Sequence, residues 1–440
     1  MYDNKNNNIV CSNAKKALLV LSIACLSASA GAGEGTVAFV GGNIIDGTGA
    51  ATIENGVLVS TGGRIVAVGP AASVTIPEGA ERVDVSGKTL IPGLINAHGH
   101  VGGVKGLETG FYDVENLGRQ LRLYARYGIT TVNSLGDDEY EGFAIRNEQD
   151  PIFINYARLM VAGPVIAATT VEDALRHVNG IAEQNPNFIK IRVDDNLGRS
   201  SKMAPEIYKA IADQAEVRGI PLAVHTYTLA DAKATLAAGA DFIAHSVRDA
   251  DVDAEFIDAM KGANVCYSPT LTREVSTFVY ESEPSFFSDP FFLSEVDPAV
   301  ISTLREPQRQ QAMRDNTNAQ HYKNIALPRA ITNLKLLSDA GVKIAMGTDS
   351  GPVTRFQGYF EHLEMSMMVD AGMTPMQVLQ SATSVAADCL GLNYLGTLEE
   401  GKWADIVVLD RNPLEDINNT KSVSQVWIAG NLVPPKAAGE

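Results

Sequence analysis

The two ends of the chain share a pattern of short apolar runs separated by glycines. Residues 36–90 hold β-branched stretches between glycine pairs, and residues 404–431 have the same texture. Apolar runs punctuated in this way are typical of strands joined by hairpin turns. The pattern predicts one small β-sandwich domain composed of residues 31–90 and 396–440.

Residues 91–395 instead alternate short apolar runs with segments whose apolar positions recur at helical spacing. The predicted strands are residues 91–98, 129–134, 153–157, 188–193, 221–225, 241–245, 265–268 and 342–349. The predicted helices include residues 171–184, 205–218, 229–238, 254–261 and 334–340. Eight strands followed by helical material predict a (β/α)8 TIM barrel, although an open doubly wound sheet has the same local pattern.

One long segment, residues 271–325, interrupts this alternation after the seventh predicted strand. It is rich in aromatic residues and also contains Pro284, Pro290 and Pro298; the aromatic residues include Phe278, Tyr280, Phe286, Phe287, Phe291 and Phe292. A long loop at the carboxyl end of barrel strands is often a lid or a binding loop. The alternative is an aromatic cluster that packs the insert on the barrel rim or on another subunit.

The first thirty residues have the order of a secretory signal peptide. Lys15 and Lys16 precede the apolar run 17–26, and Ala28-Ser29-Ala30 forms a small-residue cleavage site. The run is too short for a stable membrane-spanning helix. We expect cleavage near Ala30 and a periplasmic or secreted protein, with an uncleaved anchor or a lipid-modified Cys25 as alternatives.

Two cysteines, Cys266 and Cys389, remain in the predicted mature chain. Each has an apolar sequence context, which is typical of buried free thiols. We therefore predict two free thiols and no dependence on disulfides.

The composition narrows the possible partners. The 440 residues carry a formal charge of -17, and no basic patch stands out along the sequence. Nucleic acid and, after signal cleavage, the anionic membrane surface are therefore poor partners. We expect a soluble homo-oligomer that binds a small-molecule substrate.

Six polar side chains lie on the predicted strands or at their ends. His98 and His100 are two residues apart on one strand, so they share a face and can reach one metal ion. The other four lie on later strands: Lys190, His225, His245 and Asp349. Each has an ordinary explanation when taken alone, such as a core histidine, a helix cap or a buried ion pair. Because five different strands contribute, the set predicts a metal site at the carboxyl end of the barrel.

These segments resemble the metal-dependent amidohydrolase superfamily. The matching pieces are residues 92–100, His225, His245, residues 347–349 and residues 396–407. Residues 188–191, with Lys190, resemble the Xaa-Pro dipeptidase and imidazolonepropionase-like branch. In that branch the lysine is carboxylated by carbon dioxide and bridges two metals.

The resemblance implies a centre of two divalent ions, zinc being the first expectation, while manganese, iron or cobalt are compatible with the same donors. The implied ligands are His98, His100 and Asp349 for the more buried ion, His225 and His245 for the second, and carboxylated Lys190 as the bridge. Two such ions lower the pKa of a bridging water and polarise the scissile carbonyl. Asp349 would be the catalytic base that takes the water's proton and passes it to the leaving group.

The function that follows is an exported binuclear amidohydrolase acting on a peptide-like or N-acyl amino acid bond. Deaminases of the superfamily usually carry a glutamate three residues after the strand-five histidine, where this chain has Thr228. Deamination is therefore disfavoured. A lactone or ester hydrolase using the same site is the alternative, and a metal-free scaffold is a more distant one.

Three residues are candidates for substrate binding. Arg192 shares the face of Lys190 and can grip a carboxylate, unless it pairs with Asp194 or Asp195 instead. Tyr227 can donate a hydrogen bond to a substrate carbonyl, with packing as the alternative. His362 is a possible pocket residue, with a surface helix position as the alternative.

Overall fold

The computed structural model describes residues 35–437, and the predicted signal peptide at 1–30 lies outside the described residues. Up to residue 182 the elements are β1 (Thr36–Ile44), β2 (Ile53–Thr61), β3 (Arg64–Pro70), β4 (Glu81–Asp84), β5 (Thr89–Pro92), β6 (Leu94–Gly99), β7 (Val104–Lys105), β8 (Glu108–Thr109), α1 (Val114–Arg126), β9 (Ile129–Ser134), α2 (Tyr140–Glu148), β10 (Arg158–Val161) and α3 (Val171–Ala182).

The middle of the chain continues the alternation and then enters the insert. Its elements are β11 (Ile189–Val193), α4 (Pro205–Arg218), β12 (Leu222–Thr226), α5 (Leu229–Ala238), β13 (Phe242–Ala244), α6 (Ala254–Gly262), β14 (Cys266–Ser268), α7 (Leu271–Ser276), α8 (Pro290–Leu293), α9 (Pro298–Leu304), α10 (Pro307–Arg314) and α11 (Thr317–His321). Short 3-10 turns at Val279–Glu281 and Ser285–Ser288 and a π turn at Tyr322–Ala326 complete this region.

The last part of the described chain returns from helices to strands. Its elements are α12 (Leu327–Asp339), α13 (Tyr359–Asp370), α14 (Pro375–Ser381), α15 (Ser384–Cys389), β15 (Ile406–Leu409), the 3-10 turn Ile417–Lys421, β16 (Val423–Ile428) and β17 (Asn431–Leu432). None of the helices between residues 35 and 437 is long and apolar enough to cross a membrane.

One sheet combines strands from both ends of the chain. Its order is β17-β16-β15-β5-β1-β2-β3, and β4 pairs with β1. Phe39 of β1 packs edge-to-face on Trp427 of β16, with ring centroids 5.1 Å apart. Such pairs add stability beyond the area that they bury. The eight strands form one hydrogen-bonded sheet, not the two separate sheets of the sandwich that the sequence predicted.

The central strands form two parallel sheets. One contains β6, β9 and β10, and the other contains β11, β12, β13 and β14. Single parallel bridges join Ile166 to Ile191, Tyr267 to Ile344, and Ser350 to Gly99. The protein is therefore an α/β protein whose parallel strands are linked partly by regular pairing and partly by isolated bridges.

Three of the predicted strands differ from the structure. The predicted first strand, 91–98, is divided between β5, which belongs to the terminal sheet, and β6. The predicted third strand, 153–157, is a loop, because the Asp150 carboxylate accepts hydrogen bonds from the backbone N–H groups of Ile152 and Phe153. Phe153 is 78% exposed there, and the strand begins only at Arg158. The predicted eighth strand, 342–349, pairs with its neighbours only through single bridges.

The helices of the central region lie close to their predicted bounds. α4 and α5 coincide with the predicted segments 205–218 and 229–238, and α3 and α6 differ from theirs by one or two residues at the end. α4 and α5 each end at a glycine with positive φ, Gly219 and Gly239. This left-handed C-cap is the signal that made their ends predictable.

The prediction of two free thiols is wrong, because Cys266 and Cys389 form a disulfide. Cys266 begins β14 and Cys389 ends α15, and their Cα atoms are 5.9 Å apart. Both cysteines pack in the same small core cluster as Phe188 and Phe242. Their sequence separation of 123 positions concealed this proximity.

The insert packs on its own chain through its aromatic side chains. Phe286 and Phe292 lie 5.1 Å apart between ring centroids, and Phe292 lies 4.8 Å from Phe356. The Tyr280 hydroxyl also donates to the carbonyl of Thr354 at 2.6 Å. The aromatic cluster therefore fixes the insert against the segment that leads into α13.

Candidate metal centre

A cavity of about 800 Å³ lies at the carboxyl ends of the parallel strands. Its walls include all six residues that the sequence predicted as ligands: His98, His100, Lys190, His225, His245 and Asp349. His98 lies in β6 and His100 directly after it, Lys190 lies in β11, His225 in β12 and His245 directly after β13. Asp349 lies in the segment 342–350, which is joined to β14 and β6 by single bridges. The structure therefore brings the predicted set together around one space.

A close backbone approach places Asp349 beside β6. The backbone N–H groups of Thr348 and Asp349 both donate to the His98 carbonyl, at 3.0 and 2.7 Å. A Cβ atom at Gly347 would lie only 2.8 Å from the Cβ of His98, so glycine is required there. The Gly-Thr-Asp sequence thus lets this segment run directly against β6.

The four histidine rings form a continuous cluster. Ring centroids are 5.7 Å apart for His98 and His100, 4.6 Å for His98 and His245, and 4.2 Å for His225 and His245. Burial is the largest cause that lowers the pKa of His98, His225 and His245, to about 3 for His225. These rings are therefore neutral at physiological pH, which is the form that binds metals.

His100 and Asp349 make the contact that most directly suggests a cation. The Nδ1 atom of His100 donates to the carbonyl of Gly136 at 2.9 Å. Its Nε2 atom lies 2.8 Å from Asp349 Oδ1. Burial favours a lower pKa for His100, but the hydrogen bond and charge of Asp349 raise its pKa above the ordinary value. When the ring is neutral, Nε2 carries a lone pair that faces the carboxylate. Two lone pairs at this distance repel unless a proton or a metal ion lies between them.

The rings of His225 and His245 each have a hydrogen-bond partner that orients them. His245 Nδ1 lies 2.7 Å from Thr270 Oγ1, and His225 Nε2 lies 3.1 Å from Asp194 Oδ2. Metal-bound histidines commonly use their second nitrogen in this way. His245 and Thr270 both have positive φ, which is uncommon for residues other than glycine. Residues in this conformation occur preferentially at functional sites.

Lys190 is buried among these groups without a partner. Its side chain is 3% exposed, and its Nζ atom makes no hydrogen bond with the described residues. Burial lowers the pKa of this amine to about 7. Asp349 and Asp137 favour the charged form by their charge, but neither forms a hydrogen bond with Nζ. A buried ammonium without a hydrogen-bonded partner is costly, so the amine needs either neutralisation or a bound partner.

Asp349 is held between His100 and an arginine that the sequence did not suggest. Arg355 Nη1 lies 2.5 Å from Asp349 Oδ2, and Asp349 itself has a φ of 55°. Burial favours a higher pKa for this carboxyl, but Arg355 and His100 together hold the pKa well below its usual range. Asp349 is therefore ionised and available as a ligand or base.

These residues fit a metal centre. His98, His100 and Asp349 each offer one ligand atom, and the three atoms lie within 4.8 Å of one another. The Nδ1 atom of His98 and the Nζ atom of Lys190 are buried without a hydrogen-bond partner. Imidazole nitrogens with carboxylate oxygens are the donors that zinc and similar ions take.

Three arginines also line the cavity: Arg192, Arg273 and Arg355. Arg192 donates to Asp194 at 3.1 Å, and 44% of its side chain remains exposed. The salt-bridge interpretation of Arg192 is therefore confirmed by its pair with Asp194. Because Arg192 also lines the cavity, carboxylate binding stays a prediction. Arg273 donates to the buried Glu274 at 2.9 Å. No motif marked Arg273 or Arg355, because both lie outside the strand ends.

Tyr227 faces away from a substrate position. Its hydroxyl lies 2.6 Å from His321 Nε2, and its ring packs under the Arg248 guanidinium at 4.7 Å. Tyr227 is not among the residues that line the cavity. The structure therefore favours the packing interpretation of this residue.

His362 is a structural residue, and its predicted place in the pocket is wrong. It is 1% exposed on α13 and does not line the cavity. Its Nε2 atom donates to the Tyr127 carbonyl at 2.8 Å, and its Nδ1 atom lies 2.9 Å from Thr420 Oγ1. Burial lowers its pKa to about 4.

Thr228, the position that bears on deamination, caps a helix. Its hydroxyl accepts from the backbone N–H of Asp231 at 3.0 Å and donates to the Asp231 carboxylate at 2.6 Å. This side chain is therefore used by α5.

Comparison with known proteins gives one family. The sequence profile of the amidohydrolase family matches residues 89–433. Over 284 residues the chain is 29% identical to ochratoxinase of Aspergillus niger, covering 62% of this chain and 51% of that protein. The match thus spans about half the length of this relative. The chain is also 22% identical, over 81% of both chains, to a 5-methylthioadenosine/S-adenosylhomocysteine deaminase of Bacillus cereus.

Solved structures share the fold. A Xaa-Pro dipeptidase with bound methionine superposes with a TM-score of 0.73 at 22% identity, covering 90% of this chain and 99% of the other. Aspergillus niger ochratoxinase superposes with a TM-score of 0.69 at 22% identity, covering 92% and 96%. At this identity the likeness concerns the fold alone.

Proposed function

Because the chain belongs to the amidohydrolase family, we propose that it is a hydrolase that cleaves an amide bond at a centre of two divalent metal ions. The bond is peptide-like or that of an N-acyl amino acid. The observation that carries this proposal is the buried, unpartnered Lys190 amine beside four histidines and Asp349 in one cavity wall. No ordinary core arrangement explains that set.

We divide the six proposed ligands between the two ions according to which of them lie close together. His98, His100 and Asp349 would hold one ion, and His225 and His245 would hold the other, through the ring nitrogens that make no outer contact. Lys190 would bridge the two as a carbamate. The neutral amine attacks carbon dioxide, a C–N bond forms, and one proton leaves to solvent. The product is an anionic oxygen ligand in place of an unpaired amine.

The protein's own groups then have distinct tasks. When bound, the ions would lower the pKa of a water molecule and polarise the substrate carbonyl. Asp349, ionised and fixed by Arg355, accepts the proton from the attacking water and delivers it to the leaving nitrogen. Arg192, exposed in the cavity, binds a substrate carboxylate through its guanidinium.

Related proteins support hydrolysis more than deamination. Among the similar proteins, the name of the Xaa-Pro dipeptidase denotes cleavage of a peptide bond. The deaminase is also similar, but Thr228 has no carboxyl group and its hydroxyl caps α5. A lactone or ester hydrolase using the same site stays the second candidate.

Three wider features complete the proposal. We propose that the parallel segments form a (β/α)8 barrel, spanning 91–395, beside the terminal domain of residues 31–90 and 396–440. We propose export after cleavage near Ala30, which the Cys266–Cys389 disulfide supports, because disulfides persist in oxidising compartments. We also propose that the mature protein is a homo-oligomer.

A substrate screen tests the proposed function. Purified protein is assayed on dipeptides, N-acyl amino acids and lactones before and after treatment with a chelator. We expect hydrolysis of at least one amide class, lost on chelation and restored by zinc. Hydrolysis of lactones alone would support the second candidate. Activity that survives complete metal removal would contradict the metal-dependent mechanism.

A further inference from the structure

A buried carboxylate lies beneath the candidate metal centre without touching it. Glu361 of α13 is 0% exposed, and it lies outside the cavity. Its Oε1 atom accepts three hydrogen bonds, from Asn96 Nδ2 at 2.6 Å, Thr348 Oγ1 at 2.8 Å and Ser350 Oγ at 2.6 Å. Its Oε2 atom has no partner among the described residues.

The three donors flank two of the proposed ligands. Thr348 and Ser350 are the residues immediately before and after Asp349. Asn96 lies two residues before His98, and its Oδ1 atom accepts from the His98 backbone N–H at 3.0 Å. A single carboxylate oxygen therefore connects the backbone on both sides of Asp349 to the strand that carries His98.

Asp349 needs such support because of its conformation. Its φ of 55° lies in the left-handed region, which is unfavourable for a residue with a Cβ atom unless the surroundings enforce it. Ser350 is fixed further by the Tyr124 hydroxyl, at 2.7 Å. The bonds on either side of Asp349 thus resist a change of its backbone angle.

We propose that Glu361 is a positioning residue, which sets the place of Asp349 relative to His98 and so the affinity of the centre for its ion. This inference rests on the proposed function, since it assigns the two residues as ligands. Glu361 contacts neither ligand side chain directly. It acts through Asn96, Thr348 and Ser350, and the acceptor atom is what matters, because all three bonds end on Oε1.

The test compares two substitutions of Glu361. Glu361→Gln keeps a carbonyl oxygen where Oε1 lies, whereas Glu361→Leu removes the acceptor. Full-length protein is stripped of metal, and zinc is titrated against a competing chelator to give the dissociation constant. We expect Glu361→Gln to stay within about threefold of the unmodified protein and Glu361→Leu to bind zinc about 10- to 100-fold more weakly, the range for partners of metal ligands.

His362→Gln is the matched control. His362 is the next residue of α13 and is equally buried, but its ring bonds point to Tyr127 and Thr420. We expect a lowered melting temperature of the metal-free protein with zinc affinity within about threefold. Equal weakening of zinc binding in His362→Gln and Glu361→Leu would overturn the proposal, since the effect would then come from α13 in general.

A smaller change decides the matter if Glu361→Leu does not fold. Ser350→Ala removes one of the three bonds to Glu361, together with the Ser350 contacts to Tyr124 and to Asn96 Nδ2 at 3.4 Å. We expect about 3- to 10-fold weaker zinc binding. Unchanged affinity in both Ser350→Ala and any folded Glu361→Leu protein would overturn the positioning role. If the unmodified protein binds no zinc, the proposed metal centre itself fails, which separates that outcome from this one.

Discussion

The two walls of the cavity are positioned by different means. The wall of histidines, Lys190 and Asp349 comes from parallel strands and the segment bridged to them, so the sheet backbone sets its geometry. The wall of arginines comes from β11, the insert helix α7 and the loop before α13, and each guanidinium is held by a carboxylate. We infer that the first wall determines the chemistry and that Arg192 of the second bears on the substrate, while Arg355 fixes Asp349.

The largest expected effect comes from a ligand on the strand wall. His98→Asn should lose both metal and activity, because the shorter amide cannot replace an imidazole between β6 and Asp349. Elemental analysis and an amidase assay on the folded variant measure the two losses together. Full metal content with normal turnover would assign His98 to the core and remove the distinction between the walls.

The next effect separates binding from chemistry on the same wall. Asp349→Asn keeps one ligand oxygen but removes the base, so kcat should fall roughly 10²-fold or more while most metal is retained. The acidic limb of the activity–pH profile should also disappear, because that limb reports the essential base. An Asn variant with near-normal kcat would leave Asp349 as a structural residue.

A change on the arginine wall should alter preference and leave the metal in place. Arg192→Met should lower kcat/KM for an acidic substrate by about 1.5–3 kcal/mol, the value of a charged hydrogen bond. On the unmodified enzyme, replacing the substrate carboxylate by an uncharged amide should lower kcat/KM by a similar amount. If the variant still distinguishes acid from amide, Arg192 serves only its bond to Asp194.

The smallest expected effect on activity concerns a histidine outside both walls. His362→Gln should leave kcat and KM within about threefold but lower stability by roughly 1–3 kcal/mol, because buried bonds to Tyr127 and Thr420 change.

The same variant has a signature in pH. The folded pKa of about 4 lies below the ordinary 6.5 of histidine, so the unfolded chain binds the proton more readily. The contribution of neutral His362 is therefore present above pH 6.5 and is lost as the pH falls through 4. Denaturation midpoints measured from pH 7 to 4 should fall more steeply for the unmodified protein. Parallel curves would contradict this assignment.

Much of the site could be predicted because its residues follow a rule of fold geometry. Residues at the ends of parallel strands share one edge, so His225 and His245 could be assigned to the same space as His98 without knowing any distance. The helices α4 and α5 were predictable for a similarly local reason, since a glycine ends each of them.

What could not be predicted depends on contacts distant in sequence or on one local turn. Arg355 reaches Asp349 only because the chain doubles back after the strand segment, and Cys266 meets Cys389 across 123 residues. The loop at 153–157 has an apolar pattern, but the side chain of Asp150 holds it as a turn. His362 looked like a pocket residue by position alone, whereas its ring bonds decide its role.

The number of metal ions bound per chain decides whether Lys190 bridges a two-metal centre. Fully active protein is prepared beside Lys190→Ala, and both are analysed for metal content and turnover. We predict about two divalent ions per chain in the unmodified protein, and loss of both metal and activity in Lys190→Ala. One ion per chain, with full activity retained by Lys190→Ala, would contradict this prediction.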